Sequence, residues 1–246
     1  MVCIGIIGGS GLDDPKLLQD AKELTVTTAY GSPSSALLTG TLLGVSVVIL
    51  ARHGRHHEIP PSQVNFRANI QSLVDQGVTH ILATTAVGSL RESIRPGDLV
   101  FPDQVIDFTK KRAMSFYEKK VVHTPMADPF DASLRELLVL KAEELQFSFH
   151  KKGTLITIEG PRFSTKAESS LFRLWNADII NMSTCPEVFL ANELGIPYQA
   201  IAMSTDYDCW KEDEEPVSFP IILQRMKENA DKVKNLLLAV VGAMKL

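Results

Sequence analysis

Short apolar runs alternate with segments of helical periodicity along most of this chain. Residues 2–7, 45–51 and 81–86 form apolar runs of the length expected for buried strands. In the segments 66–77 and 132–145, apolar residues instead recur every three or four positions, as on one face of a helix. Strands that alternate with helices in this way predict an α/β fold built on one mixed sheet.

The remaining elements continue the same alternation. Strands are predicted at 98–100, 155–158, 178–182 and 198–203, a loop at 107–114, and helices at 166–175, 186–194 and from Ser218 onward. No repeat of fixed period and no linker rich in Pro, Gly or Ser divides the 246 residues. With 45 % apolar residues, the chain is predicted to form one domain, 1–246, with a substantial core.

Charge and cysteine content exclude several classes of function. A net charge of −4 and the lack of long Lys or Arg runs argue against nucleic acid as a partner. No segment reaches the roughly 20 apolar residues that span a bilayer, so we expect no membrane association. The protein is predicted to be cytoplasmic, with nuclear presence left open. Cys3, Cys185 and Cys209 are far apart and lack CxxC spacing, which predicts neither disulfides nor a zinc site.

The loops after two predicted strands carry candidate anion-binding residues. The first strand is followed by GGSG at 8–11, which can bring backbone N–H groups against an anion or form a plain tight turn. This stretch lacks the third glycine of the dinucleotide-binding pattern. Arg52 and His53 follow the second strand and suit bidentate anion binding, with a solvated loop as the alternative. Because arginine repels a metal ion, the histidines of this loop are not predicted to hold one.

Two later loops combine hydroxyls and carboxylates. Thr85 ends a strand, and Ser183 follows another strand and precedes a helix, where capping is the more frequent use of a single hydroxyl. Asp206 and Asp208 lie beside aromatic residues just past the strand at 198–203. A partly buried Asp with a raised pKa could protonate or hydrogen-bond a leaving heterocycle, whereas a solvated turn is an equal alternative.

Seven segments of the chain form long and distinctive motifs: IGIIGGSGLDDP, ILARHGRHHEIPPSQVNFRANI, ILATTAVGSLRESIRPGDLVFPDQVIDFT, HTPMADPF, TIEGPRFSTKAES, INMSTCPEVFLANELGI and IAMSTDYDCWKE. In these segments the chain resembles the trimeric purine nucleoside phosphorylase family, and within it the methylthioadenosine phosphorylase branch. The resemblance covers the chain nearly from end to end. It implies a single α/β domain whose central mixed sheet is distorted toward a barrel and flanked by helices, assembled as a homotrimer.

Carried over residue by residue, the resemblance implies a phosphate site and a nucleoside site. The phosphate site comprises Ser10, Arg52, His53, Thr85, Ala86 and Ser183. The nucleoside site comprises Phe163 on the base, Met182 beneath the ribose, the main chain of Ile180, the apolar Phe219, Ile222 and Leu223 around a methylthio group, and His123 from a neighbouring subunit.

Asp206 and Asp208 are the catalytic residues that the resemblance implies. Asp206 would hydrogen-bond the purine at N7 and at its 6-amino group, with Asp208 supporting recognition of that amine. A carboxylate accepts from an amine but is repelled by a 6-oxo group unless it is protonated, and branches that prefer 6-oxopurines carry Asn there. The implied reaction is phosphorolysis of 5′-methylthioadenosine to adenine and 5-methylthioribose 1-phosphate, in purine and methionine salvage. Phosphate is then a co-substrate, and no metal or organic cofactor is implied.

Other functions and two departures from the family stay open at this point. The nearest alternative is a purine nucleoside phosphorylase acting on adenosine or 6-oxopurine nucleosides. An oxidoreductase with a dinucleotide at 8–11 and a nucleoside-binding protein without turnover represent other classes. The chain ends at Leu246, where relatives continue into a segment that helps close the 5′ pocket. The segment 110–122, which leads into His123, is shorter than its counterpart in the family.

Overall fold

The computed structural model describes residues 1–8, 18–213 and 218–245. Within these residues, eleven strands form one sheet, and five α-helices accompany it. The strands are β1 Cys3–Gly8, β2 Gln19–Leu24, β3 Leu37–Leu42, β4 Val45–Ala51, β5 His80–Ser89, β6 Leu99–Val100, β7 Gln104–Phe108, β8 Phe149–His150, β9 Thr154–Ile158, β10 Ile179–Asn181 and β11 Tyr198–Asp206. The helices are α1 Phe66–Asp75, α2 Ala132–Glu144, α3 Lys166–Leu174, α4 Thr184–Glu193 and α5 Phe219–Ala243.

The sheet is mixed and branched. Its main path runs β2-β3-β4-β1-β5-β10-β9-β7, while β11 pairs with β5 and β6, and β6 pairs with β8. β1 is parallel to β4 and β5, whereas β3 is antiparallel to β4 and β10 is antiparallel to β5. The predicted α/β class with one mixed, distorted sheet is therefore confirmed, and the distortion arises because β5 pairs with three other strands.

Helices cover both faces of the sheet through two apolar clusters. On one face, Leu138 of α2 and Leu237 of α5 pack with Ile4 of β1 and its neighbours. On the other face, Ile70 of α1 and Val188 of α4 pack against the sheet. This burial on both faces explains why the central strands read as continuous apolar runs rather than as alternating ones.

The first helix shows how local sequence sets these boundaries. The Asn65 side chain accepts a hydrogen bond from the backbone N–H of Ala68, which caps the start of α1. Gly77 follows the helix with a φ of +78°, a left-handed conformation that glycine adopts without strain. The predicted helix start and the stop at Gly77 are confirmed.

Four strands were not predicted from the sequence. β2 has the sequence QDAKEL and is exposed throughout, so it shows no burial pattern and exists through its pairing with β3. β3 and the two-residue β8 were also missed. β7 pairs in parallel with β9 and includes Asp107, so the predicted loop at 107–114 was wrong at its start. Among the described residues, no helix is both long and apolar enough to cross a membrane.

Candidate active site

A gap beside β5 positions the site. On one edge of this strand, β1 pairs as far as Ala83, which lies opposite Ile7. β10 pairs with the same strand only from Gly88, which lies opposite Ile180. Between Ala83 and Gly88, the described strands leave this edge of β5 without a partner. A cavity of about 670 Å³ opens there, and residues 84–88 line it.

Arg52 is held rigidly at one end of this cavity. Its Nε and Nη2 atoms donate to the two carboxylate oxygens of Glu187, each at 2.8 Å, and its Nη1 donates to the carbonyl of Thr84 at 2.8 Å. Arg52 is 3 % exposed and Glu187 is fully buried. Burial lowers the pKa of the guanidinium, but the Glu187 carboxylate outweighs this and leaves the pKa above its ordinary value. The solvated-loop alternative for Arg52 is therefore wrong.

Four polar side chains near Arg52 form one hydrogen-bonded cluster. The hydroxyls of Thr85 and Ser183 lie 3.0 Å apart. The Asn181 amide Nδ2 donates to Thr85 Oγ1 at 3.0 Å and to Thr184 Oγ1 at 2.7 Å. The Ser183 side chain makes no capping bond to α4, so the expectation that it caps this helix is wrong. Cys185 has extended backbone angles (φ −96°, ψ 134°), so the regular turns of α4 begin at Pro186 and Ser183 lies ahead of them.

His53 lies beside Arg52 as a neutral ring. Burial, with the charge of Arg52 nearby, lowers the pKa of the imidazole to about 4. The ring Nδ1 lies 3.0 Å from the carbonyl oxygen of Ile59, so in the neutral ring Nδ1 carries the hydrogen that it donates there. At neutral pH, Arg52 is the cationic member of the pair.

Asp206 and Asp208 lie where β11 loses its regular register. A β-bulge between Ser204 and Asp206 interrupts the pairing with β5, and Asp208 has a φ of +52°. Asp206 Oδ2 accepts from Thr205 Oγ1 at 2.7 Å, and Asp206 Oδ1 accepts from the backbone N–H of Asp208 at 2.8 Å. The bulge turns the side chain of Asp206 toward the cavity that it lines.

Burial sets the protonation of these two carboxyls. It raises the pKa of Asp206, although the hydroxyl of Thr205 acts in the opposite direction. Burial likewise raises the pKa of Asp208, which is 8 % exposed. Both carboxyls therefore take up a proton more readily than a solvated Asp does, and the solvated-turn alternative is wrong.

Gly88 allows this crowded arrangement. A Cβ atom at this position would lie 3.0 Å from Asp206 Oδ1 and 3.1 Å from Ile180 Cγ2. An alanine here would require the Asp206 carboxylate or the Ile180 side chain to move by a few tenths of an ångström.

Comparisons with known proteins identify the family of this chain. The family model described as Phosphorylase superfamily matches residues 3–242. S-methyl-5′-thioadenosine phosphorylase of Xenopus tropicalis is 56 % identical over 98 % of this chain and 88 % of its own, and that of Danio rerio is 54 % identical over the same shares. The chain belongs to the phosphorylase superfamily, in its S-methyl-5′-thioadenosine phosphorylase group.

Solved structures of the group carry the same fold. A methylthioadenosine phosphorylase from Schistosoma mansoni in complex with adenine has a TM-score of 0.95 and 42 % identity, covering 99 % of this chain and 92 % of that one. A mutant of the same enzyme in complex with methylthioadenosine has a TM-score of 0.93 and 41 % identity over the same shares.

In this member of the superfamily, most of the residues named from the sequence surround one cavity. Those that line it are Arg52, His53, Thr85, Ala86, Phe163, Ile180, Met182, Ser183, Asp206, Asp208, Ile222 and Leu223. Ser10 and the side chain of Phe219 lie outside the described residues. His123 is exposed on a loop and does not line the cavity of a single chain.

Three residues of the site were missed by the sequence analysis. Glu187 and Tyr198 hold Arg52, and Ser164 lines the cavity with a buried hydroxyl that has no partner among the described residues. One signal was present for Glu187, because it is a carboxylate inside the otherwise apolar stretch PEVFLA. Within the part of the chain that the structure describes, no group of three His, Cys, Asp or Glu side chains could hold a metal ion.

Proposed function

We propose that this protein cleaves 5′-methylthioadenosine with inorganic phosphate, releasing adenine and 5-methylthioribose 1-phosphate. One observation carries the proposal. A single cavity has a guanidinium and two hydroxyls at one end, and two carboxyls of raised pKa elsewhere in its wall. The first set suits an oxyanion and the second suits a purine that gains a proton as it leaves. The relatives named above are phosphorylases of methylthioadenosine, which agrees with this pairing.

Arg52 is the main hydrogen-bond donor at the phosphate end of the cavity. Three of its five side-chain N–H groups are used by Glu187 and Thr84. Arg52 also lines the cavity, where the exposed edge of its guanidinium suits a phosphate oxygen. His53, the hydroxyls of Thr85 and Ser183 and the backbone of Ala86 line the same cavity. Ser10, which lies outside the described residues, is the remaining proposed phosphate contact.

The reaction replaces one bond at C1′ of the sugar. The C1′–N9 bond breaks, and its electron pair goes to the purine, which accepts a proton at N7. A phosphate oxygen then forms the new bond to C1′. The sugar becomes positively charged between these events, so a phosphate held against it lowers the barrier electrostatically. Asp206, protonated more readily because it is buried, donates the hydrogen bond or proton at N7.

The base end selects adenine through the same carboxyl groups. A carboxylate oxygen accepts from the 6-amino group of adenine, whereas it faces a lone pair on a 6-oxo group. Asp208 contributes a second carboxyl in the same wall, and Phe163 offers an aromatic face to the base. We therefore expect adenine nucleosides to be preferred over inosine.

The sugar end selects the 5′ substituent by its apolar character. Ile222 and Leu223, both half-buried at the start of α5, line the cavity together with Met226. Such a wall favours a methylthio group over a hydroxyl, but only moderately, because the hydroxyl is not actively repelled.

We further propose a homotrimer in which His123 completes the site of a neighbouring subunit. His123 is exposed in a single chain, and the adjacent Val121 and Val122 are 81 % and 38 % exposed. Apolar side chains beside an exposed imidazole suit a subunit contact. Sedimentation at several concentrations tests this: a mass three times that of the chain agrees with the proposal, and a monomer at micromolar concentration contradicts it.

The activity is tested by following base release from methylthioadenosine, adenosine and inosine, each with and without phosphate. We expect adenine to appear fastest from methylthioadenosine and only when phosphate is present. Base release without phosphate would identify water as the nucleophile. Preferred release of hypoxanthine would place the protein among the 6-oxopurine enzymes. Either result would overturn the proposal.

A further inference from the structure

We propose that Glu187 and Tyr198 are positioning residues that fix Arg52 for phosphate and thereby set the affinity for phosphate, not for the nucleoside. The inference rests on the proposed function, because it concerns the phosphate end of the same cavity. Neither residue lines that cavity. Both act through the guanidinium that does.

The contacts form a chain from β11 through α4 to β5. The Tyr198 hydroxyl donates to Glu187 Oε1 at 2.7 Å. The same oxygen accepts from Arg52 Nη2, while Glu187 Oε2 accepts from Arg52 Nε. Arg52 Nη1 then reaches the carbonyl of Thr84, in the stretch of β5 that lacks a partner strand on this edge. Three secondary-structure elements thus determine the orientation of one side chain.

The burial of this chain of contacts indicates a positioning role. Glu187 is fully buried and Tyr198 is 1 % exposed. A buried ion pair is a weak source of stability, since the loss of hydration offsets much of the attraction between the charges. On α4, the neighbouring Pro186 and Val188 are buried as apolar packing, which a non-polar residue at 187 would extend. The carboxylate is explained by what it does to Arg52.

The same hydrogen bonds determine how Glu187 and the Arg52 guanidinium are oriented toward a bound phosphate. Glu187 Oε1 accepts two hydrogen bonds and Oε2 accepts one, so three bonds hold the carboxylate against Arg52 and Tyr198. The planar guanidinium is held by three hydrogen bonds to Glu187 and Thr84, which fix the orientation of its plane. Removing the Tyr198 hydroxyl would loosen Glu187, and removing the charge of Glu187 would loosen Arg52.

Steady-state kinetics of three variants test the inference. Glu187→Gln cannot accept at both atoms of the fork, and we expect it to raise the KM for phosphate about tenfold or more. Tyr198→Phe keeps the ion pair and loses one hydrogen bond, so we expect a rise of about threefold. In both variants the KM for methylthioadenosine, measured at saturating phosphate, is expected to change less than about twofold.

Ser148→Ala is the matched control. It removes a hydroxyl that donates to the carboxylate of Asp98 at 2.5 Å, outside the cavity. A purely structural role for Glu187 and Tyr198 predicts that all three variants lower the melting temperature and leave both KM values unchanged. That pattern would overturn the inference, as would equal increases in the two KM values.

The set of variants also distinguishes a failure of Glu187→Gln to fold from a failure of the proposed function. If Glu187→Gln fails to fold, Tyr198→Phe decides, because it leaves no charge unpaired, and an unchanged KM for phosphate in this variant overturns the inference. If the unmodified protein releases adenine without needing phosphate, the proposed function itself has failed. Phosphate-dependent activity in the unmodified protein with unchanged variants refutes only the positioning role.

Discussion

The two ends of the cavity are built differently. At the phosphate end, Arg52, Thr85 and Ser183 are each 6 % exposed or less, and each is already hydrogen-bonded within the chain. At the nucleoside end, Phe163 is 38 % exposed and Leu223 is half-buried. The first end is preorganised in a single chain, whereas the second presents apolar surface that a substrate or another subunit would cover.

The difference follows from which elements supply each end. Arg52 and Ser183 lie just past buried strands and Thr85 lies within β5, so strand pairing fixes their backbones. Phe163 lies in a loop between β9 and α3, and Leu223 lies on the first turns of α5, where every second or third side chain is exposed. Groups fixed before binding lose little entropy on binding, so the phosphate end is expected to be the less tolerant of substitution.

Arg52→Met is expected to have the largest effect of any substitution, because it leaves the buried Glu187 carboxylate without its cation. We expect the free energy of unfolding to fall by about 3–5 kcal/mol and phosphate-dependent release of adenine to be lost. Urea denaturation and the base-release assay measure the two effects. Arg91→Met is the control, since the pair Arg91–Asp178 is more than one-quarter exposed and should contribute about 1 kcal/mol or less. Similar losses in both variants would mean that the phosphate end is not specially preorganised.

Asp206→Asn tests the base end of the cavity. We expect kcat/KM for methylthioadenosine to fall about a hundredfold to a thousandfold, because the amide cannot supply the proton at N7. The preference for adenine nucleosides over inosine should fall with it. Thr205→Val keeps the carboxyl and removes only its 2.7 Å hydrogen bond, so its loss should be much smaller. An Asp206→Asn protein that retains its full preference for adenine nucleosides would show that another group recognises the base.

The pH dependence of the unfolding free energy tests, without substrate, whether His53 is buried as a neutral ring at the phosphate end. The folded protein holds the pKa of His53 near 4, against an ordinary value of 6.5. Between these values the unfolded chain binds a proton at this residue and the folded protein does not. The free energy of unfolding should therefore fall as the pH decreases from 6.5 to 4, by up to about 3 kcal/mol from this residue.

Comparison with His53→Gln isolates that contribution. Asp206 and Asp208 have raised pKa values and act in the opposite sense, since they favour the folded state as the pH falls. Their effect is common to both proteins and cancels in the difference between them. Urea titrations at pH 4.5, 5.5 and 6.5 should show a shallower loss of stability in the variant, and parallel pH profiles would show that His53 titrates normally.

Leu223→Ala is expected to have the smallest effect, because its side chain is only half-buried. The ratio of kcat/KM for methylthioadenosine to that for adenosine should fall about tenfold or less. Leu174→Ala, at a position that is 79 % exposed and does not line the cavity, should leave this ratio unchanged. A drop of a hundredfold would show that the sugar end is as rigidly formed as the phosphate end.

The sequence predicted those parts of the molecule whose burial follows a simple period. The strands β1, β4, β5 and β11 are buried along most of their length, so each appears as an apolar run. β2 is polar and exposed, and only its partner β3 makes it a strand, which no local pattern reveals.

The residues of the site likewise fall into those that the sequence predicted and those that it did not. Arg52 follows a strand, Thr85 and Asp206 lie on strands, and the resemblance to a family assigned all three to one site. Glu187 and Tyr198 were missed because their role depends on contacts with Arg52 across 135 residues of chain in one case and on a buried hydroxyl in the other. Hydrogen bonds between distant segments leave no periodic trace in a sequence.

The gap beside β5 has a consequence for how the protein responds to its ligands. Phosphate and nucleoside would occupy the place that a partner strand fills elsewhere along the sheet. This place exists only in the folded protein, so ligand binding stabilises the fold. A ligand that binds only the folded state raises the unfolding free energy by about 2.7 kcal/mol at a hundred times its Kd. In a cell, the abundance of the folded enzyme would then rise with the supply of its own substrates.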